Sequence, residues 1–244
     1  MSYQLTLVKD EVELGTVAAR LIAQQVQKKP ASILALPTGQ TPLPMYQALA
    51  HMERCGQVSL SGVHTFNLDE FWRLPADHPG SYHAYMQREF FAHVSIPSTH
   101  IHLLDGMAAD AVAECARYEA AIAALGGLDL AILGIGENGH IGFNEPGSAL
   151  DSHTRLVTLT PTTRAANAIF FASEEEVPHQ ALTLGIAAIL AARRILLLAG
   201  GESKAQALHL ALHGPITPDL PASALQRHPH VTILADRDAA GNGF

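Results

Sequence analysis

The chain has 244 residues, 48% hydrophobic and 16% charged, with a formal net charge of −8. That suits one well-buried globular domain over 1–244, and the acidic balance argues against a nucleic-acid partner, since no basic surplus exists to neutralise phosphates. Two cysteines, Cys55 and Cys115, are too few for a disulfide scaffold and read as buried thiols in helix-like contexts; no apolar run spans a membrane, and the polar start Met1-Ser2-Tyr3-Gln4 lacks a signal-peptide core, so a reducing, cytoplasmic setting is expected.

Short apolar runs alternate with segments of helical period. Val12, Leu14, Val17, Ala18, Leu21 and Ile22 predict a helix over 11–27, ended by Pro30. A strand follows at 32–36, then a helix over 41–52 with Pro42 in its first turn. The pattern continues with a strand at 63–68, helices at 82–94 and 109–124, and a buried strand at 129–133. Next come an edge strand at 154–159, a helix at 180–192, a strand at 194–198, a helix at 204–212 and a last strand at 231–234. Residues 236–244 read as a loose tail. This βαβ alternation predicts a Rossmann-like α/β domain, a mostly parallel twisted sheet with helices on both faces.

In such sheets ligands bind at the C-terminal edge of the strands, and four loops fall there. Leu36-Pro37-Thr38-Gly39-Gln40-Thr41-Pro42 offers a glycine, hydroxyls and helix N-terminal amides suited to a phosphate. Asn67-Leu68-Asp69-Glu70 places two carboxylates at a strand end, where one can act as a general base. Gly134-Ile135-Gly136-Glu137-Asn138-Gly139-His140-Ile141-Gly142-Phe143-Asn144-Glu145-Pro146 carries an imidazole able to move a proton near neutral pH, with Glu145 close in sequence. Gly200-Gly201-Glu202-Ser203-Lys204 sets a lysine near a helix start, where the dipole disfavours a cation unless an anion binds. Taken singly, each also fits an ordinary role: a capped turn, solvated acids, a structural histidine, a surface lysine. Together they suit proton shuttling on a phosphorylated sugar.

Other readings fit less well. The third loop spells G-x-G-x-x-G, but Pro146-Gly147 block the long helix a dinucleotide site requires. No Walker lysine, cysteine nucleophile or Gly-x-Ser-x-Gly elbow occurs. Among 14 histidines, His100-Ile101-His102 and His228-Pro229-His230 have ligand-like spacing, yet neither has a Cys or acid at familiar distance, so no metal is expected.

At this point the chain resembles the glucosamine-6-phosphate deaminases. Besides the loops above, the likeness rests on His78-Pro79-Gly80-Ser81-Tyr82, Ala181-Leu182-Thr183-Leu184-Gly185 and Leu225-Gln226-Arg227-His228-Pro229, and it covers almost the whole chain. The resemblance implies the sugar-phosphate isomerase/deaminase type of fold. It also implies cofactor-free conversion of glucosamine 6-phosphate and water to fructose 6-phosphate and ammonium, in amino-sugar catabolism. Asp69 would move the C2 proton to C1, and His140 would open the pyranose ring. Asn138, which is aspartate in some relatives, and Glu145 would orient that imidazole. Thr38, Gly39, Gln40, Thr41 and Lys204 would hold the phosphate.

Two departures from enteric members follow. Their lid arginine aligns with Ile169, leaving Arg164 as the nearest basic residue upstream. They are hexamers activated by N-acetylglucosamine 6-phosphate, and their effector residues match at Ser148 and Arg155, but a lysine gives way to Val157. The resemblance and the short C-terminal tail therefore imply a monomer or small homo-oligomer without strong activation. Alternatives are a galactosamine-6-phosphate deaminase/isomerase, a 6-phosphogluconolactonase and a sugar-phosphate-sensing domain. A sensor would need a DNA-binding module, and none is expected here.

Overall fold

The computed structural model describes residues 3–241. Its strands are β1 (Tyr3–Val8), β2 (Ile33–Leu36), β3 (His64–Asn67), β4 (Asp69–Phe71), β5 (Ile101–His102), β6 (Leu130–Gly134), β7 (Arg155–Thr158), β8 (Gln180–Thr183), β9 (Ile195–Ala199) and β10 (Val231–Asp236). Its α-helices are α1 (Glu11–Lys28), α2 (Leu43–Arg54), α3 (Tyr82–Glu89), α4 (Ala111–Ala124), α5 (Pro161–Asn167), α6 (Ile186–Leu190), α7 (Ala205–His213) and α8 (Arg237–Ala240). Seven strands form a parallel sheet in the order β1-β10-β9-β6-β2-β3-β5. The other three form an antiparallel sheet, β4-β8-β7.

Side-chain alternation along the parallel strands explains the layering. Leu34, Leu36, Ile132, Leu196 and Leu198 point to one face and pack with Leu14 and Ile22 of α1 and Leu49 of α2. Ile33, Ala35, Leu133, Leu197 and Ile233 point to the other and pack with Tyr118 of α4, Ile189 of α6 and Leu208 of α7. Strands buried on both faces read as continuous apolar runs, which is why 32–36, 129–133 and 194–198 are legible. Each such side chain contributes roughly 1.5–3 kcal/mol on burial, so this frame can carry costly polar groups at its edge. Local signals agree: Asp10 caps α1 by accepting from the Glu13 amide at 2.9 Å, while the Glu13 carboxylate reaches back to accept from the Lys9 amide at 2.8 Å.

Several expectations are corrected. The polar start hides β1, whose alternating Leu5 and Leu7 lie on an edge strand paired with β10. The helix expected over 180–192 is β8 followed by the short α6, because Gly185 separates them: a Cβ there would meet the Ser152 carbonyl oxygen at 2.1 Å. The edge strand near 154–159 exists as β7, but it borders the small antiparallel sheet. The strand at 63–68 does not end in a loop; after Leu68 the chain passes into β4. The tail expected over 236–244 is partly ordered, with Asp236 capping α8 through the Ala239 amide at 2.7 Å; residues 242–244 lie outside the described residues. Cys115 is buried as expected, but Cys55 is exposed at the end of α2.

Candidate active site

The four loops do meet. Thr38, Gly39, Gln40, Thr41, Asp69, His140 and Lys204 line one cavity of about 380 Å³ at the C-terminal edge of the parallel sheet. Asn138 and Glu145 stand behind the His140 ring, outside the lining.

Two tyrosines fix the backbone of the 37–39 loop. The Tyr46 hydroxyl donates to the Pro37 carbonyl at 2.5 Å, and the Tyr85 hydroxyl donates to the Gly39 carbonyl at 2.5 Å. These bonds hold the carbonyl oxygens, and among the described residues no protein acceptor takes the amides of Gly39, Gln40 and Thr41. Free amides near a helix start, with a lysine lining the same cavity, suit an anion. Lys204 is 23% exposed, and its Nζ lies 3.4 Å from Glu137 Oε1. The nearest upstream cation does not join it: Arg164 donates to the carbonyls of Val177 at 3.1 Å and Glu174 at 2.8 Å. Ile169 lines the cavity rim instead and is 67% exposed.

The two adjacent carboxylates have opposite environments. Glu70 is saturated: Oε1 accepts from the amides of Phe71 and Tyr82, and Oε2 from the amide and Nδ1 of His83. It anchors the start of α3. Asp69 is buried, and among the described residues its carboxyl has no hydrogen-bond donor. Burial, with a smaller push from the Glu70 charge, raises its pKa to about 8. Gly142, with φ +55°, brings the histidine loop against it; a Cβ there would lie 3.2 Å from Asp69 Oδ2 and 3.1 Å from Thr183 Oγ1.

A relay fixes the imidazole. Glu145 Oε2 accepts from Asn138 Nδ2 at 3.0 Å. A carboxylate only accepts, so the amide turns its NH2 to Glu145 and its oxygen to the ring. Asn138 Oδ1 then accepts from His140 Nδ1 at 2.7 Å. The proton therefore resides on Nδ1, and Nε2 keeps its lone pair. Glu145 itself is 3.9 Å from Nδ1, so the amide, and not the carboxylate, makes the direct contact. Burial holds the His140 pKa below the usual imidazole range, against the pull of Glu145 and with help from Lys204. The ring packs against Gly136, where a Cβ would come within 2.2 Å of Cε1 and Nδ1.

Sequence reasoning missed the other side of Glu145. Its Oε1 accepts hydrogen bonds from the hydroxyls of Thr163 and, at 3.4 Å, Thr160. Thr160-Pro161 is a readable helix start, since Thr160 accepts from the Thr163 amide at 3.2 Å and Pro161 opens the helix. Nothing local to the sequence shows that α5 turns Thr163 toward a loop 18 residues away. Beyond Glu145 lies an open hollow of about 340 Å³ lined in part by Ser148, Arg155 and Val157. Arg155 is occupied there, donating to Asn144 Oδ1 at 2.8 Å and Ser148 Oγ at 3.0 Å.

The histidine pairs serve packing. His100 and His102 stack beside His64, and His228 Nε2 bonds the Ala192 carbonyl at 2.8 Å. No group of three or more His, Cys, Asp or Glu suited to a metal occurs among the described residues. No helix among them is long and apolar enough to cross a membrane.

A cavity joining free helix-start amides, a lysine, an unpaired carboxyl and a tautomer-fixed imidazole at one sheet edge is suited to proton transfer on a phosphorylated ligand, within an α/β fold. Residues 10–234 match the family of glucosamine-6-phosphate isomerases/6-phosphogluconolactonase. A glucosamine-6-phosphate deaminase of Halothermothrix orenii is 51% identical over 228 residues, 93% of this chain and 95% of that protein. One from Rhodopirellula baltica is 48% identical, covering 97% of this chain and 94% of that protein. A solved monomeric glucosamine-6-phosphate deaminase superposes with a TM-score of 0.95 at 45% identity, covering 97% of this chain and 98% of that one. The 6-phosphogluconolactonase of Thermotoga maritima shares the fold, with a TM-score of 0.74 at 24% identity. The chain belongs to the glucosamine-6-phosphate deaminase family.

Proposed function

We propose that this chain converts glucosamine 6-phosphate and water to fructose 6-phosphate and ammonium. The observation that carries the reading is the contrast within one cavity: Asp69 is unpaired beside a fully bonded Glu70, and it faces the same space as His140. The phosphate sits on the 38–41 amides with Lys204. His140 Nε2 takes the anomeric hydroxyl proton and delivers it to the ring oxygen, opening the pyranose. Asp69 removes the C2 proton while a proton of the substrate ammonium passes to O1, giving an enolamine, and Asp69 returns its proton to C1. The resulting iminium at C2 is hydrolysed, releasing ammonium. The route uses side-chain proton transfers alone and no cofactor.

The relative of TM-score 0.95 is described as monomeric, which supports a monomer here. Two free thiols accord with a reducing, cytoplasmic setting, and the whole chain acts as one domain. Ammonium release from glucosamine 6-phosphate, measured beside galactosamine 6-phosphate and 6-phosphogluconolactone, tests the proposal. The gluco substrate is expected to turn over fastest; a preference for either other compound overturns it.

A further inference from the structure

Thr163 belongs to two structures at once. It lines the substrate cavity from α5, together with Ala166 and Asn167 of the same helix. Its hydroxyl also donates to Glu145 Oε1, the carboxylate oxygen turned away from Asn138. The chain of contacts is continuous: Thr163 to Glu145, Glu145 to Asn138, Asn138 to His140. Glu145 is buried, so its two oxygens have few alternative partners. With Oε1 held, Oε2 is fixed toward the Asn138 amide. Without that hold, Oε1 keeps only the Thr160 hydroxyl at 3.4 Å, the carboxylate can rotate away from the Asn138 NH2, and the amide is left with the His140 backbone N–H, which donates to Oδ1 at 3.2 Å, as its one remaining anchor apart from the ring. A less firmly seated amide weakens the bond from Nδ1 to Oδ1 and lets the ring proton move to Nε2, the wrong nitrogen for accepting a proton from the sugar.

The far end of α5 is also tied to the cavity wall. Asn167 Nδ2 donates to the Thr163 carbonyl at 2.9 Å, and its Oδ1 accepts from the Tyr82 hydroxyl at 3.3 Å. The helix is thus anchored at its N-terminal turn by Glu145 and at its last turn by the wall.

We propose that Thr163 is a positioning residue for ring opening: from the helix that covers the cavity, it holds Glu145 so that Asn138 keeps the His140 tautomer with a free Nε2. This rests on the reaction proposed above. The role acts on the pyranose step alone, because Asp69 lies on β4 and shares no hydrogen bond or ion pair with this relay.

The test compares T163V, nearly the same shape without the hydroxyl, with T163S, which keeps it. Two substrates are used: glucosamine 6-phosphate and its 4,5-dideoxy analogue, which can close neither a pyranose nor a furanose ring. T163V is expected to lower kcat on the cyclic sugar about tenfold, the scale of one lost charge-assisted hydrogen bond, with less than twofold change in KM. On the 4,5-dideoxy analogue the loss is expected to stay under twofold, and T163S to restore the cyclic rate. Equal losses on both substrates, or no rescue by serine, would assign Thr163 to packing of α5 and overturn the proposal. In an E145Q background, T163V is expected to add less than twofold; additive losses overturn it too. T163A carries the same expectations should the valine variant not fold. Wild-type inactivity on glucosamine 6-phosphate would sink the reaction itself, and an active wild type with an unaffected T163V would sink only the role of Thr163.

Discussion

Gly136→Ala puts the imidazole relay under direct strain. The new Cβ would stand 2.2 Å from His140 Cε1 and Nδ1 and 2.6 Å from Cγ. Carbon contacts settle near 3.5–4.0 Å, so the ring must retreat by about 1.5 Å. The 2.7 Å bond from Nδ1 to Asn138 then opens beyond hydrogen-bonding range. A displacement of that size at a reacting group costs about 10²-fold in rate, or roughly 2.7 kcal/mol. The backbone is not the obstacle, since Gly136 is absent from the positive-φ glycines. Overpacking should cost about 1–3 kcal/mol of stability, so the variant should still fold. Steady-state ammonium release at pH 7.5, with thermal unfolding followed in parallel, provides the assay. The expected result is a hundredfold lower kcat in a folded protein. A kcat within threefold of wild type would show that the ring's seat on Gly136 is irrelevant to turnover, and the relay would fall with it.

Other outcomes follow from the same geometry. Asp69 has a folded pKa of about 8 against an ordinary 3.8, so the folded state binds its proton more tightly than the unfolded state. That stabilising contribution is complete below about pH 4 and is lost as pH rises toward 8; unfolding of Asp69→Asn should show a flatter pH dependence over this window. The carboxyl must be ionised to accept a proton, so wild-type kcat/KM should rise with pH toward about 8, and a profile falling over that range would contradict the assignment. Lys204→Ala should raise KM for the phosphorylated sugar and reduce the salt dependence of inorganic phosphate inhibition, with little effect on free glucosamine; equal loss on both sugars would make Lys204 structural. Velocity curves should be near-hyperbolic and respond weakly to N-acetylglucosamine 6-phosphate, because Arg155 is already bonded to Asn144 and Ser148 and Val157 offers no donor. A sigmoidal curve turned hyperbolic by that compound would show otherwise.

The central parallel strands were legible because strands buried on both faces leave unbroken apolar runs, and the four site loops were legible because each follows such a strand or its helix. The edges were not. Strand β1 alternates weakly beside water, and β8 is only four residues long, so its pattern merged with α6. The adjacent carboxylates Asp69 and Glu70 are indistinguishable as letters; their roles separate only when Glu70 meets the amides of Tyr82 and His83 across 12 and 13 residues. Thr163, Tyr46 and Tyr85 act through contacts set by packing, and no spacing rule announces them. The order of the relay was likewise invisible: Glu145 sits behind Asn138 and does not touch the ring directly.

The most direct measurement follows one hydrogen. Turnover of glucosamine 6-phosphate in deuterium oxide, with the fructose 6-phosphate product analysed by NMR, reports whether a protein base carries the C2 proton to C1. Wild-type protein should yield product labelled at C1 in proportion to exchange of the Asp69 carboxyl with solvent, with the remainder retaining the original C2 hydrogen. Asp69→Asn should bind the sugar phosphate, yet release no ammonium and exchange no hydrogen at C2. Wild-type-like exchange at C2 in Asp69→Asn would contradict the account, because some other group would then be the base.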